Sequence, residues 1–141
     1  MPIVTTIEGR IAQVAIDRPE KRNTLSSELC KDLAREFLEL NDDTRVRSIV
    51  LCGHNNVFCA GLDIEEQLAE NTPIFNEFQK VIDALDALSK PVVAAVSGPA
   101  VSQGAAMLYH CDLVFAGEHA LFSMPGLALG QTPRYGVSLL A

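Results

Sequence analysis

The chain has 141 residues, of which 48% are hydrophobic and 21% charged, enough for one globular domain with a hydrophobic core. Its formal net charge of −7, without any Lys/Arg-rich run, argues against nucleic acid or an anionic membrane surface as the main partner. The four cysteines show no C-x-x-C spacing, and the sequence carries neither a signal pattern nor an apolar run of about 20 residues. We therefore predict a cytoplasmic protein in a reducing setting.

Hydrophobic periodicity predicts two strands and one helix in the first third of the chain. The segments IVTTI and RIAQVAID predict an antiparallel pair that turns at Glu8 and Gly9. DRPEKRNTLSS breaks the periodicity and predicts a loop. Ser26 is then a suitable N-cap for a helix that ends near residues 41–43. The apolar face of this helix consists of Leu29, Leu33, Phe37 and Leu40.

From residue 46 onward, strands alternate with helices, and the first two of these strands are expected to be buried. VRSIVLC, PVVAAVS and DLVFAG predict strands, the stretch 73–88 predicts an amphipathic helix, and SQGAAMLYH predicts a short helix. This order indicates βαβ units and a parallel sheet. The final GVSLLA is typical of the first turns of a helix, so we expect the chain to be a truncated form.

Two loops follow buried strands in the same relation: FCAGLD follows VRSIVLC, and GPAVSQG follows PVVAAV. In an open α/β sheet, ligands bind at the carboxyl ends of the strands, so both loops are expected at the functional edge. Small residues let a ligand approach the backbone, and converging N–H groups stabilise negative charge on one oxygen. The alternative is that Gly61, Gly98 and Gly104 only allow tight turns and close packing.

Five segments carry a resemblance to a known family: RPEKRNTLS, VRSIVLCG followed by FCAGLDIEE, KPVVAAVSGPA, CDLVFAGEHALFSMP and LALGQTP. In order and spacing they resemble the enoyl-CoA hydratase/isomerase (crotonase) superfamily, from about Arg10 to the last residue. The resemblance implies an α/β fold, a spiral of ββα units with a largely parallel sheet. Residues 1–141 would then be a truncated core domain without its carboxy-terminal helical region.

The same resemblance implies the ligand and the assembly. The expected substrates are acyl-CoA thioesters, with coenzyme A as part of the substrate and with no further cofactor and no metal. The expected assembly is a homotrimer or hexamer, and neither nucleic acid nor a membrane is an expected partner.

By position in these motifs, the resemblance assigns an oxyanion hole to the backbone N–H groups of Leu62 and Gln103. Gln103 stands where the family usually has a run of glycines, so its side chain narrows the site or adds a polar group. The implied substrate-binding residues are Lys21, Arg22, Ala60, Gly61, Asp63, Ile64, Gly104 and Arg134. Lys21 and Arg22 would offer cations to the phosphates of CoA; the alternative is that both are solvated surface charges.

The catalytic acids of the family are absent. Hydratases of the family use two glutamates, and their positions here are Ala106 and Gly126; the single acid of some isomerases and a dehalogenase falls near Arg134. Proton transfer on an enoyl thioester needs a group that titrates near neutral pH within hydrogen-bond reach of the reacting carbon. Water addition by the two-glutamate route is therefore not expected. Arg134 is a permanent cation and a poor base, but it could hold a substrate carboxylate or a phosphate.

Other side chains are candidates for the missing acid or base, but residues of these types more often serve in the core or in a structural role. They are Tyr109, Tyr135, His110, His119 and Cys59. Glu65 and Glu66 open the segment after AGLDI, where we favour a solvated helix start over an acid that reaches the pocket.

Three hypotheses stay open. The first is an enzyme of the crotonase superfamily whose acid or base is unassigned. The second is a non-catalytic acyl-CoA binder, a pseudoenzyme that has kept the scaffold. The third is an incomplete member in which missing carboxy-terminal helices leave apolar surface uncovered, so that this surface drives association.

Overall fold

The computed structural model describes residues 2–140. The strands are β1 Ile3–Glu8, β2 Ile11–Ile16, β3 Ser48–Gly53, β4 Val92–Val96, β5 Pro99–Val101, β6 Leu113–Ala116 and β7 Leu121–Ser123. The α-helices are α1 Ser27–Asp42, α2 Ile64–Gln67, α3 Ile74–Ala87, α4 Gln103–Leu108 and α5 Val137–Leu140. Short 3-10 helices lie at Pro19–Lys21 and Leu127–Leu129.

Five strands form the main sheet in the order β1-β2-β3-β4-β6. β1 and β2 are antiparallel and turn through Gly9 at φ +59°, while the remaining pairings of this sheet are parallel. The predicted antiparallel pair and the largely parallel sheet are therefore confirmed. Because β3 and β4 run side by side in the same direction, the segments that follow them leave from one edge of the sheet.

Helices α1 and α3 pack against each other and close the hydrophobic core. The side chain of Ser26 caps α1 by accepting a hydrogen bond from the N–H of Leu29 at 3.1 Å, as predicted. Both helices bury the apolar faces that their sequence spacing indicates, and Phe37 and Phe78 are completely buried at their centre. Across residues 2–140, no helix has the length and hydropathy that crossing a lipid bilayer would require.

The segment 99–101, expected as part of a loop, is instead the strand β5. It pairs in parallel with β7 in a second, two-stranded sheet. On its other side, the N–H of Val101 donates to the carbonyl oxygen of Cys59 at 2.9 Å. The backbone N–H and C=O groups of this segment thus find hydrogen-bond partners in two distant parts of the chain. Local periodicity does not reveal such pairing.

The interpretation of Glu66 as a solvated helix residue is wrong. Its carboxylate accepts hydrogen bonds from the backbone N–H of Ser27 at 2.9 Å and from the Ser27 hydroxyl at 2.6 Å. The first turn of a helix leaves its N–H groups without partners inside the helix, and a carboxylate there satisfies one of them. Glu66 therefore ties the start of α1 to α2.

An apolar surface runs along β6 and β7. All four residues of β6, an edge strand of the main sheet, are exposed, and so are Leu121 and Phe122 of β7. Phe115 is 65% exposed. We call residues 113–116 and 121–122 the β6–β7 apolar surface.

Candidate active site

The two loops predicted from the sequence lie side by side. The N–H of Phe58 donates to the carbonyl oxygen of Pro99 at 3.0 Å, and Cys59 and Ala100 form a parallel bridge. These contacts continue the parallel arrangement of β3 and β4 beyond the sheet. The FCAGLD and GPAVSQG segments are therefore held together at the carboxyl edge, as expected.

Glycines allow this close approach. A Cβ added at Gly104 would lie 2.2 Å from the carbonyl oxygen of Cys59, and one added at Gly98 would lie 1.8 Å from that of Asn56. Gly61 adopts φ +99°, and its Cβ position is 3.3 Å from Oε1 of Gln103. Close packing accounts for the glycines at 98 and 104, and a side chain at position 61 would crowd Gln103.

The backbone N–H groups of Leu62 and Gln103 have no hydrogen-bond acceptor within residues 2–140. On both sides of Leu62 the chain is paired, because Leu25 N–H donates to Gly61 and Asp63 N–H donates to Leu25, each at 2.8 Å. Gln103 is the first residue of α4, where no preceding turn supplies an acceptor. The described part of the protein therefore uses neither N–H group as a donor.

A cavity of about 350 Å³ lies beside Gln103. It gathers three positions that the sequence analysis singled out for missing acids, and its wall also contains two aromatic side chains. The lining residues that matter here are Phe75, Gln103, Ala106, Gly126, Arg134 and Tyr135. Gly61 and Leu62 do not line this cavity.

No carboxylate lines the described wall of this cavity. Ala106 is buried and offers a methyl group, and Gly126 offers backbone. Among the lining hydroxyl groups, those of Ser102, Thr132 and Tyr135, the Tyr135 phenol is the most acidic type. Burial raises its pKa above the ordinary value, with the Arg134 charge opposing the increase. A tyrosine with such a pKa is a weak acid at neutral pH, so the cavity has no group suited to the two-glutamate chemistry.

The basic loop lies against the FCAGLD segment. The N–H of Ala60 donates to the carbonyl oxygen of Arg22 at 3.2 Å, and the ammonium of Lys21 lies 3.1 Å from Glu65. Arg22 is exposed. Lys21 and Arg22 are thus both near the loop that follows β3, and neither lines the cavity.

The side chain of Asp63 is occupied by the protein itself. Its carboxylate accepts from the N–H of Glu65 at 3.1 Å and pairs with the guanidinium of Arg18 at 3.1 Å. Ile64, in contrast, is 69% exposed. The backbone of Asp63 is occupied as well, because its N–H donates to Leu25 at 2.8 Å and its carbonyl oxygen accepts from Gln67 at 3.0 Å. Within the predicted substrate-binding stretch, Asp63 therefore has a structural role, whereas Ile64 presents an exposed side chain.

Sequence reasoning missed Asn23, which links the basic loop to the segment after β3. Its buried amide donates to the carbonyl oxygens of His54 at 3.0 Å and Val57 at 2.8 Å, and its Oδ1 accepts from the N–H of Arg18. Asn23 has φ +57°, a conformation that asparagine tolerates better than most residues. The only sequence signal for this role was the presence of an asparagine within a charged loop.

The remaining candidates for an acid or base have structural roles or exposed positions. His110 Nε2 donates to the carbonyl oxygen of Tyr135 at 2.7 Å, and its Nδ1 lies 2.7 Å from Asp86. Burial raises the pKa of Cys59 to about 12, which makes its thiol inert at neutral pH. Tyr109 and His119 are exposed and line no part of the cavity beside Gln103.

Among the described residues, His, Cys, Asp and Glu side chains form no group of three that could hold a metal ion.

Comparisons with known proteins agree with this architecture. The model of the enoyl-CoA hydratase/isomerase family matches residues 6–141. The chain is 35% identical to the short-chain-enoyl-CoA hydratase of Clostridium acetobutylicum, over 95% of this chain and 53% of that protein. It is 34% identical to the mitochondrial enoyl-CoA hydratase of Pongo abelii, over 89% of this chain and 44% of that protein.

Solved structures give the same result. An enoyl-CoA hydratase/isomerase from Pseudoalteromonas atlantica superposes with a TM-score of 0.91 at 33% identity, over 99% of this chain and 56% of that one. OdaA of Pseudomonas aeruginosa superposes with a TM-score of 0.89 at 36% identity, over 98% and 56%. The chain spans about half the length of these relatives, and the predicted crotonase-like core is confirmed. The chain belongs to the enoyl-CoA hydratase/isomerase family.

Proposed function

We infer that this chain binds acyl-CoA thioesters and that the N–H groups of Leu62 and Gln103 hold the thioester oxygen. The observation that carries the proposal is the pair of N–H groups without protein acceptors within residues 2–140, on two loops in contact. Donors aimed at one oxygen stabilise the negative charge of a thioester enolate. Membership of the family supports a CoA thioester as the ligand.

The coenzyme A end of the ligand would lie along the loop that follows β3. Ala60, Gly61 and Ile64 would contact it. The exposed cation of Arg22 and the cation of Lys21, which is paired with Glu65, would face its phosphates. This basic loop is attached to Ala60 by a backbone hydrogen bond, which supports a common binding surface. Coenzyme A is then part of the substrate, no separate cofactor is proposed, and the proposed location is the cytoplasm.

Hydration through two glutamates is not the reaction that this cavity supports, since Ala106 and Gly126 stand at the expected positions. The same observation favours a second candidate, a non-catalytic acyl-CoA binder. Incubation with crotonyl-CoA and 3-enoyl-CoA, followed by the thioester absorbance, distinguishes the two. Turnover above the blank would establish an enzyme, and binding without turnover would establish a binder.

The oxyanion hole itself is tested with butyryl-CoA that is isotopically labelled at the thioester carbonyl. We expect calorimetry to show binding, and infrared difference spectra to show the labelled C=O stretch at lower frequency, because two N–H donors polarise the carbonyl. The control variant is Gly117→Ala, whose added Cβ would meet no atom nearer than 3.7 Å. A bound ester with an unshifted band contradicts the oxyanion hole, and no binding of any thioester contradicts the whole proposal.

Self-association into a trimer or hexamer is also proposed, with the β6–β7 apolar surface as its support. Exposed edge strands with apolar side chains favour contact with another chain. Sedimentation velocity over a range of concentrations tests this, and a monomer at every concentration would contradict it.

A further inference from the structure

Arg134 is the one charged side chain in the described lining of the cavity beside Gln103. Within residues 2–140, no carboxylate lies within 4.0 Å of its guanidinium. The rest of the described wall is apolar or neutral and carries no anion. The cavity therefore has a positive charge that the described part of the protein does not neutralise.

Aromatic neighbours hold the Arg134 side chain and the adjacent backbone in place. Its guanidinium carbon lies 5.3 Å from the centre of the Phe75 ring, a cation–π distance. The next residue, Tyr135, is fixed by the hydrogen bond from His110 to its carbonyl oxygen and by an edge-to-face contact with Phe78 at 4.7 Å. A guanidinium held on an aromatic ring loses less freedom when it binds an anion than one on a free surface side chain.

The position of this charge indicates which anion it would bind. Lys21 and Arg22 lie near the loop that follows β3, and neither lines the cavity. If the phosphates of CoA bind there and the thioester oxygen binds at Gln103, the cavity beyond Gln103 receives the acyl group. An anion inside it then belongs to the acyl group, and a carboxylate is the anionic group that fits a guanidinium with two parallel hydrogen bonds.

We propose that the chain prefers short acyl-CoA thioesters whose acyl group ends in a carboxylate, and that Arg134 binds this carboxylate. The proposal rests on the proposed function, because it takes the cavity as the acyl site. The volume of about 350 Å³ is near the lower end of ligand pockets, which span about 300–1,000 Å³. Long acyl chains are correspondingly disfavoured.

The test compares two saturated thioesters of equal chain length, glutaryl-CoA and pentanoyl-CoA, by calorimetric titration of the full chain. We expect glutaryl-CoA to bind about tenfold more tightly, because a charge-assisted hydrogen-bonded pair forms only with the carboxylate. In Arg134→Gln the ratio should fall to about one, since a neutral side chain cannot form the ion pair. Arg134→Lys should keep part of the ratio, because an ammonium supplies the charge without the planar fork.

Arg47→Gln is the matched control. Arg47 is exposed and precedes β3, at the end of the sheet opposite to the site, so the preference for glutaryl-CoA should be unchanged. The preference should also fall as salt is raised from about 0.05 to about 0.5 M, as screening weakens a solvent-accessible ion pair. Circular dichroism verifies that each variant is folded.

Two results would overturn the inference. One is equal or weaker binding of glutaryl-CoA than of pentanoyl-CoA to the unmodified chain, which leaves the proposed acyl-CoA function intact. The other is a glutaryl-CoA preference that survives in Arg134→Gln. Failure of both thioesters to bind would refute the proposed function and this inference with it.

Discussion

The contact between Gly104 and Cys59 gives a sharp test of how the two site loops are held. In Gly104→Ala, the new Cβ would lie 2.2 Å from the Cys59 carbonyl oxygen and 2.9 Å from its carbonyl carbon, whereas ordinary contacts are 3.4–4 Å. The neighbour is backbone, so it has no rotamer that relieves the clash. The loops must separate by roughly 1 Å to restore a normal contact.

That separation has a calculable cost. Overpacking of this kind costs about 1–3 kcal/mol. Moving Cys59 away also stretches its 2.9 Å hydrogen bond from Val101 beyond bonding range, for about 1 kcal/mol more. Replacing glycine within a helix returns up to about 1 kcal/mol. We therefore expect Gly104→Ala to lower the free energy of unfolding by about 1–4 kcal/mol.

Urea denaturation followed by circular dichroism measures this change, and Gly117→Ala is its matched control. The nearest atom to a Cβ at Gly117 is 3.7 Å away, so this substitution should be neutral or stabilise by up to about 1 kcal/mol. The proposed function adds a second readout, because displaced loops should also weaken butyryl-CoA binding. A Gly104→Ala protein within about 0.5 kcal/mol of the unmodified chain would refute the reasoning, since ordinary surface substitutions lie in that range.

Three further predictions concern the stability and reactivity of the fold. Glu66→Gln removes a charged acceptor at Ser27 and should lower the free energy of unfolding by about 1 kcal/mol in urea titrations; an unchanged midpoint would contradict the capping role. The hydrogen bonds of Arg45 lower the pKa of Asp43 to about 2, so the stabilisation is present above the ordinary carboxyl pKa and is lost as pH falls through about 2. Carbon-detected NMR should find this low midpoint, and Arg45→Gln should return it toward the ordinary value. The Cys59 thiol should react with a disulfide reagent only after unfolding, and rapid native labelling would show that it is accessible.

Elements with a local signal could be predicted, and contacts between distant segments could not. The N-cap Ser26 and the spacing of the apolar residues after it define α1 because both act within one helix. The strand β5 has only three residues, and its pairing depends on Cys59 and on β7, far along the chain in both directions. Glu66 was misread for the same reason, because its partner Ser27 lies in another helix.

The candidate site shows the same division. Family resemblance located Gln103, Ala106, Gly126 and Arg134 as positions of interest one by one. That all four surround one cavity is a tertiary property, because the wall combines residues at the start of α4 with residues of the segment 124–137 after β7. The support that Phe75 gives to Arg134 depends on a helix roughly sixty residues away in sequence, and no short pattern encodes such a contact.

A hydrogen-bond donor on the main chain tolerates mutation better than a catalytic acid on a side chain. Every residue except proline carries the N–H that positions 62 and 103 would offer, so nearly any substitution there leaves the donor in place. Alanine and glycine codons are, in contrast, neighbours of glutamate codons in the genetic code, so acids at 106 and 126 are easily gained or erased. A lineage built on this scaffold can exchange one proton-transfer chemistry for another, or abandon it, while inheriting the backbone of the proposed oxyanion hole unchanged. Gly104, which has no room for a side chain, is where that inheritance is vulnerable.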